Sequence, residues 1–203
     1  MRIVVATGNK DKVIEIKEIL RDLAAEVVTM KEAGLFVEVE ENGTTFLENA
    51  VLKAKAVATE AAQSEEWKDA VVMADDSGLV IDALNGEPGI YSARYLGHDT
   101  SYREKNGDLI RRLTGISDEQ RSARFVCAMA AVCPDGEVLT TEGAMEGRIG
   151  YEEHGENGFG YDPIFYLPER GCTAAELSLT EKNGISHRGK ALRRMREKLM
   201  QIK

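Results

Sequence analysis

Short apolar runs alternate with amphipathic stretches along the first half of the chain. The β-branched run at residues 2–7 predicts a buried strand that ends at the segment TGNK. Apolar residues then recur at helical spacing from Val13 to Leu23, and residues 26–30 predict a second strand. A strand that leads into a helix through a glycine-containing turn is typical of α/β proteins.

Capping boxes and a second set of apolar runs extend this pattern. Thr45 with Glu48 predicts a helix to about residue 62, and Ser101 with Glu104 predicts a helix to about residue 113. Residues 69–75 and 78–84 predict two buried strands, which places Asp75 and Asp76 at the end of the first one.

The second half of the chain predicts a hairpin, a long loop and a last helix. Residues 122–150 indicate two strands joined by Pro134-Asp135-Gly136, and residues 150–163 form a glycine-rich loop. Thr173 with Glu176 caps a short helical turn, and residues 190–199 predict a basic helix. We therefore expect an α/β fold with a mixed sheet.

Length, composition and charge limit the classes of protein to which this chain can belong. The 203 residues suit one domain, or two small lobes that share a core, and no repeat or linker divides them. The chain has no apolar run long enough for a membrane span and no signal peptide, so we expect a cytoplasmic protein without a membrane partner. The formal charge of −9 argues against nucleic-acid partners, although a few converging cations could still bind a small anion.

The cysteines and histidines do not have the sequence spacing of a metal site. Cys127, Cys133 and Cys172 show no C-x-x-C spacing, so we expect reduced, partly buried thiols. The three histidines form no H-x-x-x-H pair, which argues against a histidine-based metal site.

Adjacent carboxylates are the strongest chemical signal. Asp75 and Asp76 repel each other and are costly to bury unless positive charge lies beside them. A hard cation such as Mg²⁺ prefers a few carboxylates together with phosphate and water oxygens, and Asp76 with Glu41 fits that preference. The alternative is an ordinary turn in water.

Two segments offer cations to a phosphate. Thr7, Gly8 and Asn9 lie where a strand gives way to a helix, and Lys10 and Lys12 add positive charge. The alternative for this segment is a plain helix cap made by Asn9. Farther along, Asn49 and Lys53 share a helical face, although this segment taken alone favours a solvated surface helix with a capping box.

Two later segments suit a planar base. Phe159 and Tyr161 lie among the glycines of residues 154–165 and could stack on a base, unless the loop is packed by its own aromatic rings. Lys182, His187 and Arg188 surround a predicted Ser186 cap and could donate to a carbonyl or phosphate oxygen. The alternative for them is a cap followed by a solvated basic helix.

Taken in order, five segments resemble the inosine triphosphate pyrophosphatase family. They are residues 7–12, 41–58, 74–95, 158–168 and 173–192. The resemblance implies an elongated mixed sheet with flanking helices, two lobes around a central cleft, and a homodimer. It also implies hydrolysis of ITP, dITP and XTP to the monophosphate and pyrophosphate with Mg²⁺, one ion per subunit, or with Mn²⁺.

The resemblance implies a role for each matching residue. Asp76 would be the proton acceptor and a metal ligand, with Asp75 beside it and Glu41 as a further ligand. The triphosphate would be held by Thr7, Gly8, Asn9, Lys10, Asp11, Lys12 and Lys53. Ser77 would contact substrate, while the nucleoside would be bound by Phe159, Gly160, Tyr161, Asp162, Lys182, His187 and Arg188. Asn157 stands where the family often has a second glycine.

Hydrogen-bond polarity would then select the base. The 6-oxo group of hypoxanthine or xanthine can accept from His187 or Arg188, whereas adenine presents an amino donor. A rival within enzymes is a septum-inhibitor-type pyrophosphatase that acts on dTTP, UTP or modified nucleotides, and the segments SHRG and FGYDP argue against it. The rival outside enzymes is a nucleotide sensor, against which the presence of Asp76 and Glu41 argues.

Overall fold

The computed structural model describes residues 1–202 as a mixed α/β fold built on one seven-stranded sheet. The strand order is β2-β1-β3-β4-β5-β6-β7. The strands are β1 (Arg2–Val5), β2 (Glu26–Thr29), β3 (Val71–Ile81), β4 (Ser122–Val132), β5 (Val138–Ile149), β6 (Phe165–Leu167) and β7 (Cys172–Thr173). The α-helices are α1 (Lys10–Ile19), α2 (Phe46–Ala61), α3 (Tyr102–Arg112), α4 (Leu179–Ile185) and α5 (His187–Leu199).

Parallel and antiparallel pairing coexist, which confirms the predicted mixed sheet. Strand β1 pairs in parallel with both β2 and β3. Strand β6 pairs antiparallel with β5 and with β7. The two capping boxes predicted for α2 and α3 are both present, since Thr45 accepts from the Glu48 N–H and Ser101 accepts from the Glu104 N–H.

One sequence prediction about the sheet is wrong. Residues 71–81 form a single eleven-residue strand, so Asp75 and Asp76 lie within β3 and do not end it. The strand continues through the two acids because successive side chains point to opposite faces. Each carboxylate finds its own cationic partner on its own face, so the chain has no need to turn out into water.

Four further elements differ from the sequence prediction. Helix α4 and the short strands β6 and β7 were not predicted, and α5 begins at His187 instead of residue 190. Ser186, the predicted cap, is extended (φ −65°, ψ 156°) between α4 and α5. The three unpredicted elements, α4, β6 and β7, are two to seven residues long, too short to show a clear hydrophobic period.

The described chain divides into two compact units, and both are assembled from separated segments. The first unit contains Met1–Asp76, Cys127–Gly143 and the chain from Arg188 onward. The second contains Ser77–Val126 and Ala144–His187.

In the first unit, helices cover both faces of the sheet. Ile3 and Val5 of β1 point toward a core that includes Ile16 of α1 and Met195 of α5. Val4 points the other way, into a core that contains the alanine-rich face of α2. Each fully buried large apolar side chain contributes about 2 kcal/mol of burial free energy, so these two cores anchor the strands that carry the acids.

The second unit has one core. Leu79 and Ile81 from the end of β3 pack with Leu109 of α3, Phe125 of β4 and Phe165 of β6. Tyr161, which lies in the loop of residues 150–163, also belongs to this core.

Two further sequence expectations can be compared with the structure. Cys127, Cys133 and Cys172 are free thiols, as predicted. Among residues 1–202, no helix has the length and apolar character needed to cross a membrane.

Candidate active site

Strand β3 directs its two neighbouring aspartates to opposite faces of the first unit. Asp76 points toward α2, where Val72 and Ala74 also pack. Asp75 points toward α1 and α5, on the face of Met73. The pleat therefore gives the two acids different partners, and their roles have to be argued separately.

Asp76 lies at the centre of a small polar cluster. Asn49 Nδ2 donates to Asp76 Oδ2 over 3.2 Å, and Lys53 Nζ lies 3.3 Å from Asp76 Oδ1. Lys53 Nζ also lies 3.3 Å from Glu41 Oε2, so one ammonium contacts both carboxylates. The i, i+4 spacing of Asn49 and Lys53 on α2 brings both side chains to the same acid. The alternative of a solvated surface helix is therefore wrong for these two residues.

Buried charge changes the acid–base properties of this cluster. Burial raises the pKa of Asp76, Lys53 and Lys12 oppose that rise, and Glu41 adds to it. Burial alone would lower the pKa of Lys53, but attraction to Asp76, Asp75 and Glu41 raises it. Asp76 is thus a more basic carboxylate than an exposed aspartate, held beside a charged lysine.

Asp75 is fully buried within a network of ion pairs. Lys12 Nζ lies 3.0 Å from Asp75 Oδ2, and Nε and Nη2 of Arg188 each donate to the same oxygen over 3.3 Å. Arg188 also donates through Nη1 to Glu15, which is itself buried. Two acids and two bases therefore neutralise one another inside the first unit.

This network keeps Asp75 ionised. Burial would raise the pKa of Asp75, but Lys12, Arg188 and Lys53 hold it well below its usual range. An acid with so low a pKa is a poor proton acceptor, whereas Asp76 has the opposite shift. The electrostatics therefore favour Asp76 over Asp75 as the base.

At the start of α1, the structure shows a side-chain cap. Asn9 Oδ1 accepts from the backbone N–H groups of Asp11 (2.9 Å) and Lys12 (3.2 Å), and the Asn9 N–H donates to Thr7 Oγ1. Gly8 and Lys10 are exposed. The helix cap made by Asn9 is thus present in the structure. It does not exclude a phosphate, because Gly8 and Lys10 stay exposed and accessible to an anion.

The acids on the α2 face fit a hard divalent cation. Asp76 and Glu41 supply carboxylate oxygens, the ligands that Mg²⁺ prefers, and both already contact one positive charge. Within residues 1–202, three or more candidate ligands converge only at the β4–β5 turn, in Cys133, Asp135 and Glu137. A metal held by Asp76 and Glu41 would therefore complete its coordination with phosphate and water oxygens.

In the second unit, Asp162 organises the glycine-rich loop. Its Oδ2 accepts from the backbone N–H of Phe159 over 2.8 Å and from Lys182 Nζ over 2.6 Å. The Lys182 ammonium also lies 4.9 Å from the centre of the Phe159 ring. Asp162, Lys182 and Phe159 thus form one connected group, in which Phe159 is only partly buried.

Glycines make this tight arrangement possible. Gly158 and Gly160 adopt φ values of +70° and +71°, on either side of Phe159. A Cβ atom at Gly158 would lie 2.2 Å from Asp162 Oδ2, which is fixed by its bonds to Phe159 and Lys182. Gly158 is therefore required both for its backbone conformation and for the space that it leaves.

The remaining predicted residues have varied environments. Tyr161 is 4% exposed, and its hydroxyl donates to the Ser92 carbonyl over 2.6 Å, so this ring is part of the core. His187 stacks on Phe125, with ring centres 4.9 Å apart.

Ser77 follows Asp76 in β3 and is the first residue of the second unit. Of the three predicted base donors, Lys182 and His187 belong to the second unit and Arg188 to the first.

Several residues that contact the predicted site residues were not identified from the sequence. Glu15 was not singled out, although its position three residues after Lys12 on an otherwise apolar helical face was a usable signal. Asn106 and Tyr102 of α3 were also missed, yet both touch the glycine-rich loop. Their position depends on tertiary packing between segments about fifty residues apart, which no local pattern shows.

Comparison with known proteins gives one consistent result. The sequence model of the Ham1 family matches residues 3–198. The dITP/XTP pyrophosphatase of Desulforamulus reducens is 46% identical over 202 residues, covering 100% of this chain and 97% of that protein. The dITP/XTP pyrophosphatase of Clostridium perfringens is 44% identical, covering 99% and 98%.

Solved structures agree with the sequence relatives. A HAM1 protein from Coxiella burnetii superposes with a TM-score of 0.87 at 40% identity, with full coverage of both chains. A nucleoside-triphosphatase / dITP/XTP pyrophosphatase from Mycobacterium abscessus gives a TM-score of 0.72 at 40% identity, covering 96% of this chain and 98% of that one.

Proposed function

This chain belongs to the Ham1 family, and on that premise we propose how its residues carry out nucleotide hydrolysis. Its activity is the hydrolysis of noncanonical purine nucleoside triphosphates. We assign ITP, dITP and XTP as substrates, and the monophosphate and pyrophosphate as products. The assignment of roles rests on one observation. Asp75 and Asp76 lie on opposite faces of β3, and their surroundings shift their pKa values in opposite directions.

Residues of the first unit hold the triphosphate in this proposal. Lys53, Lys10 and the segment at the start of α1 supply positive charge, although the whole molecule is acidic. Asp76 and Glu41 hold Mg²⁺, with Mn²⁺ as an alternative. When bound, the ion neutralises negative charge on the phosphate oxygens, and this neutralisation is the main requirement of phosphoryl transfer.

Asp76 is the proposed proton acceptor. Its carboxylate is partly desolvated, so that its pKa is raised, and Asn49 fixes its orientation through a hydrogen bond to Oδ2. One carboxylate oxygen would orient the attacking water and accept its proton as water attacks the α-phosphorus. Asp75 acts in a different way, as the buried anion that holds Lys12 and Arg188 in place.

Residues of the second unit recognise the base. Phe159 offers a partly exposed aromatic face, and Lys182 and Asp162 hold the loop that presents it. His187 of this unit would donate to the 6-oxo group of hypoxanthine or xanthine. Adenine presents an amino donor at that position, so both sides would lack an acceptor.

Pyrophosphate release from ITP, XTP, GTP, ATP and dTTP tests this proposal. We expect fast turnover of ITP and XTP with Mg²⁺, little turnover of the other three nucleotides, and none in EDTA. Preference for dTTP would move the chain to the septum-inhibitor type of pyrophosphatase. Binding of ITP without turnover would contradict the enzyme assignment.

A further inference from the structure

Asn106 is a buried polar side chain to which the proposed mechanism gives no role. It lies on α3 and is 1% exposed. Its Nδ2 donates to Glu153 Oε1 over 2.7 Å and to the carbonyl oxygen of Gly160 over 3.3 Å. Both partners belong to the long loop between β5 and β6, so one amide group ties α3 to two points of that loop.

The two acceptors set the orientation of the amide. Asn106 Oδ1 has no hydrogen-bond partner among residues 1–202, and turning the amide over would place that oxygen against two other oxygens. The donated bonds alone therefore hold the side chain. The bond to Glu153 is the shorter of the two and ends on a charged carboxylate, which makes it the stronger one although Glu153 is exposed.

The bond to Gly160 acts on the segment that carries Phe159. The Phe159 N–H is held by Asp162 Oδ2, and the carbonyl of the next residue, Gly160, is held by Asn106. The peptide before Phe159 and the peptide after Gly160 are thus each held by a side-chain hydrogen bond, and both Gly158 and Gly160 have positive φ. Glycine has a wide choice of backbone conformations, so these hydrogen bonds favour one of them.

A second contact from α3 supports the same segment. Tyr102 lies one helical turn before Asn106, and its ring meets the Tyr161 ring edge to face, with centres 5.3 Å apart. A Cβ atom on Gly160 would lie 3.6 Å from the Tyr102 ring, which is ordinary packing distance. The first two turns of α3 therefore support Gly160 and Tyr161, which follow Phe159.

We propose that Asn106 is a positioning residue of the nucleoside site, which holds the Gly160 carbonyl so that Phe159 is presented to the purine base in one orientation. The inference rests on the proposed function, because it takes Phe159 as the surface on which the base stacks. Asn106 itself does not react, and its loss is expected to weaken binding more than chemistry.

Steady-state kinetics of Asn106→Ala with ITP test the proposal. We expect KM to rise about tenfold, as loss of the hydrogen bond to the Gly160 carbonyl predicts, while kcat changes by less than about threefold. Glu153→Ala removes only the exposed partner, leaves the Gly160 bond in place and should raise KM by less than Asn106→Ala does. Asp108→Asn is the matched control on α3, since Asp108 contacts Tyr95 and Arg111 and not the loop.

Hydrogen exchange of the loop, followed by mass spectrometry, separates this inference from the proposed function. Peptides that cover residues 157–162 should exchange faster in Asn106→Ala than in the native protein or in Asp108→Asn. Unchanged exchange, or an unchanged KM for ITP, would overturn the positioning role. If the native protein does not hydrolyse ITP but the loop still exchanges faster, the proposed function fails and the structural part of the inference stands.

Discussion

At the scale of single residues, Asp75 and Asp76 are neighbours in the chain with opposite physical situations. Asp75 has two cationic partners and is completely buried, with a lowered pKa. Asp76 has Asn49 and a lysine shared with Glu41, and its pKa is raised. The same substitution at the two positions should therefore affect different properties.

We predict that Asp76→Asn lowers kcat by about 100-fold or more while stability changes by less than about 1 kcal/mol. Burial already disfavours the charge on Asp76, and asparagine keeps an oxygen that can accept from Asn49. Asp75→Asn should instead lower the free energy of unfolding by about 3 kcal/mol, because it leaves Arg188 and Lys12 without their common anion.

Each variant is the control for the other, with turnover of ITP and urea unfolding measured on both. Near-normal hydrolysis by Asp76→Asn would contradict its assignment as the base. An Asp75→Asn protein as stable as the native one would show that the buried network contributes little to folding.

Residue types and spacing singled out the two aspartates, Glu41 and Lys53, but neither Glu15 nor the arrangement of these side chains. The sequence indicated that Asp75, Asp76 and Glu41 need a cation, and that Asn49 and Lys53 share a face. It could not show that the cations nearest to Asp75 come from α1 and α5, since Lys12 and Arg188 are 176 positions apart in the sequence. Pairings over such distances depend on packing of the whole unit.

At the scale of secondary-structure elements, helix α2 carries Asn49 and Lys53 to the acid. Its first turn is fixed by a reciprocal capping box, in which Thr45 accepts from the Glu48 N–H and Glu48 accepts from the Thr45 N–H. We predict that Thr45→Ala lowers stability by about 1 kcal/mol, as loss of an N-cap does, and lowers the melting temperature by about 3 °C.

Thr59→Ala is the matched control on the same helix. Thr59 is also exposed, but its hydroxyl donates to the Lys55 carbonyl, which is already inside the helical hydrogen-bond pattern. Its replacement should change stability by less than about 0.5 kcal/mol. Equal losses for the two variants in chemical denaturation would show that the cap itself contributes nothing.

Long elements were predictable because local signals for them agree. Helices α2 and α3, whose capping boxes were predicted, begin where the sequence indicated, since the cap residues and the apolar period point to the same start. Strand β3 was divided in two because adjacent acids followed by Ser-Gly have the local chemistry of a turn. The partners that keep these acids inside the strand come from other elements, and local reasoning does not include them.

At the scale of the whole molecule, stability and catalysis depend on different groups. Three apolar cores hold the described fold, two in the first unit and one in the second. None of them contains the carboxylates assigned to the metal. Lys53 contacts both Asp76 and Glu41, so these acids keep a positive partner without any ion.

We therefore predict that removal of the metal stops catalysis and leaves the fold intact. In EDTA, ITP turnover should fall below about 1% of the value with Mg²⁺, because charge on the phosphate oxygens is no longer neutralised. The melting temperature, followed by far-ultraviolet circular dichroism, should stay within about 3 °C, since Lys53 contacts both carboxylates without the ion. Addition of Mg²⁺ or Mn²⁺ should restore turnover, and Asp76→Asn should not recover with either ion. Cooperative loss of helical signal in EDTA would contradict the prediction, because it would mean that the ion, and not Lys53, compensates the charge of the two acids in the folded protein.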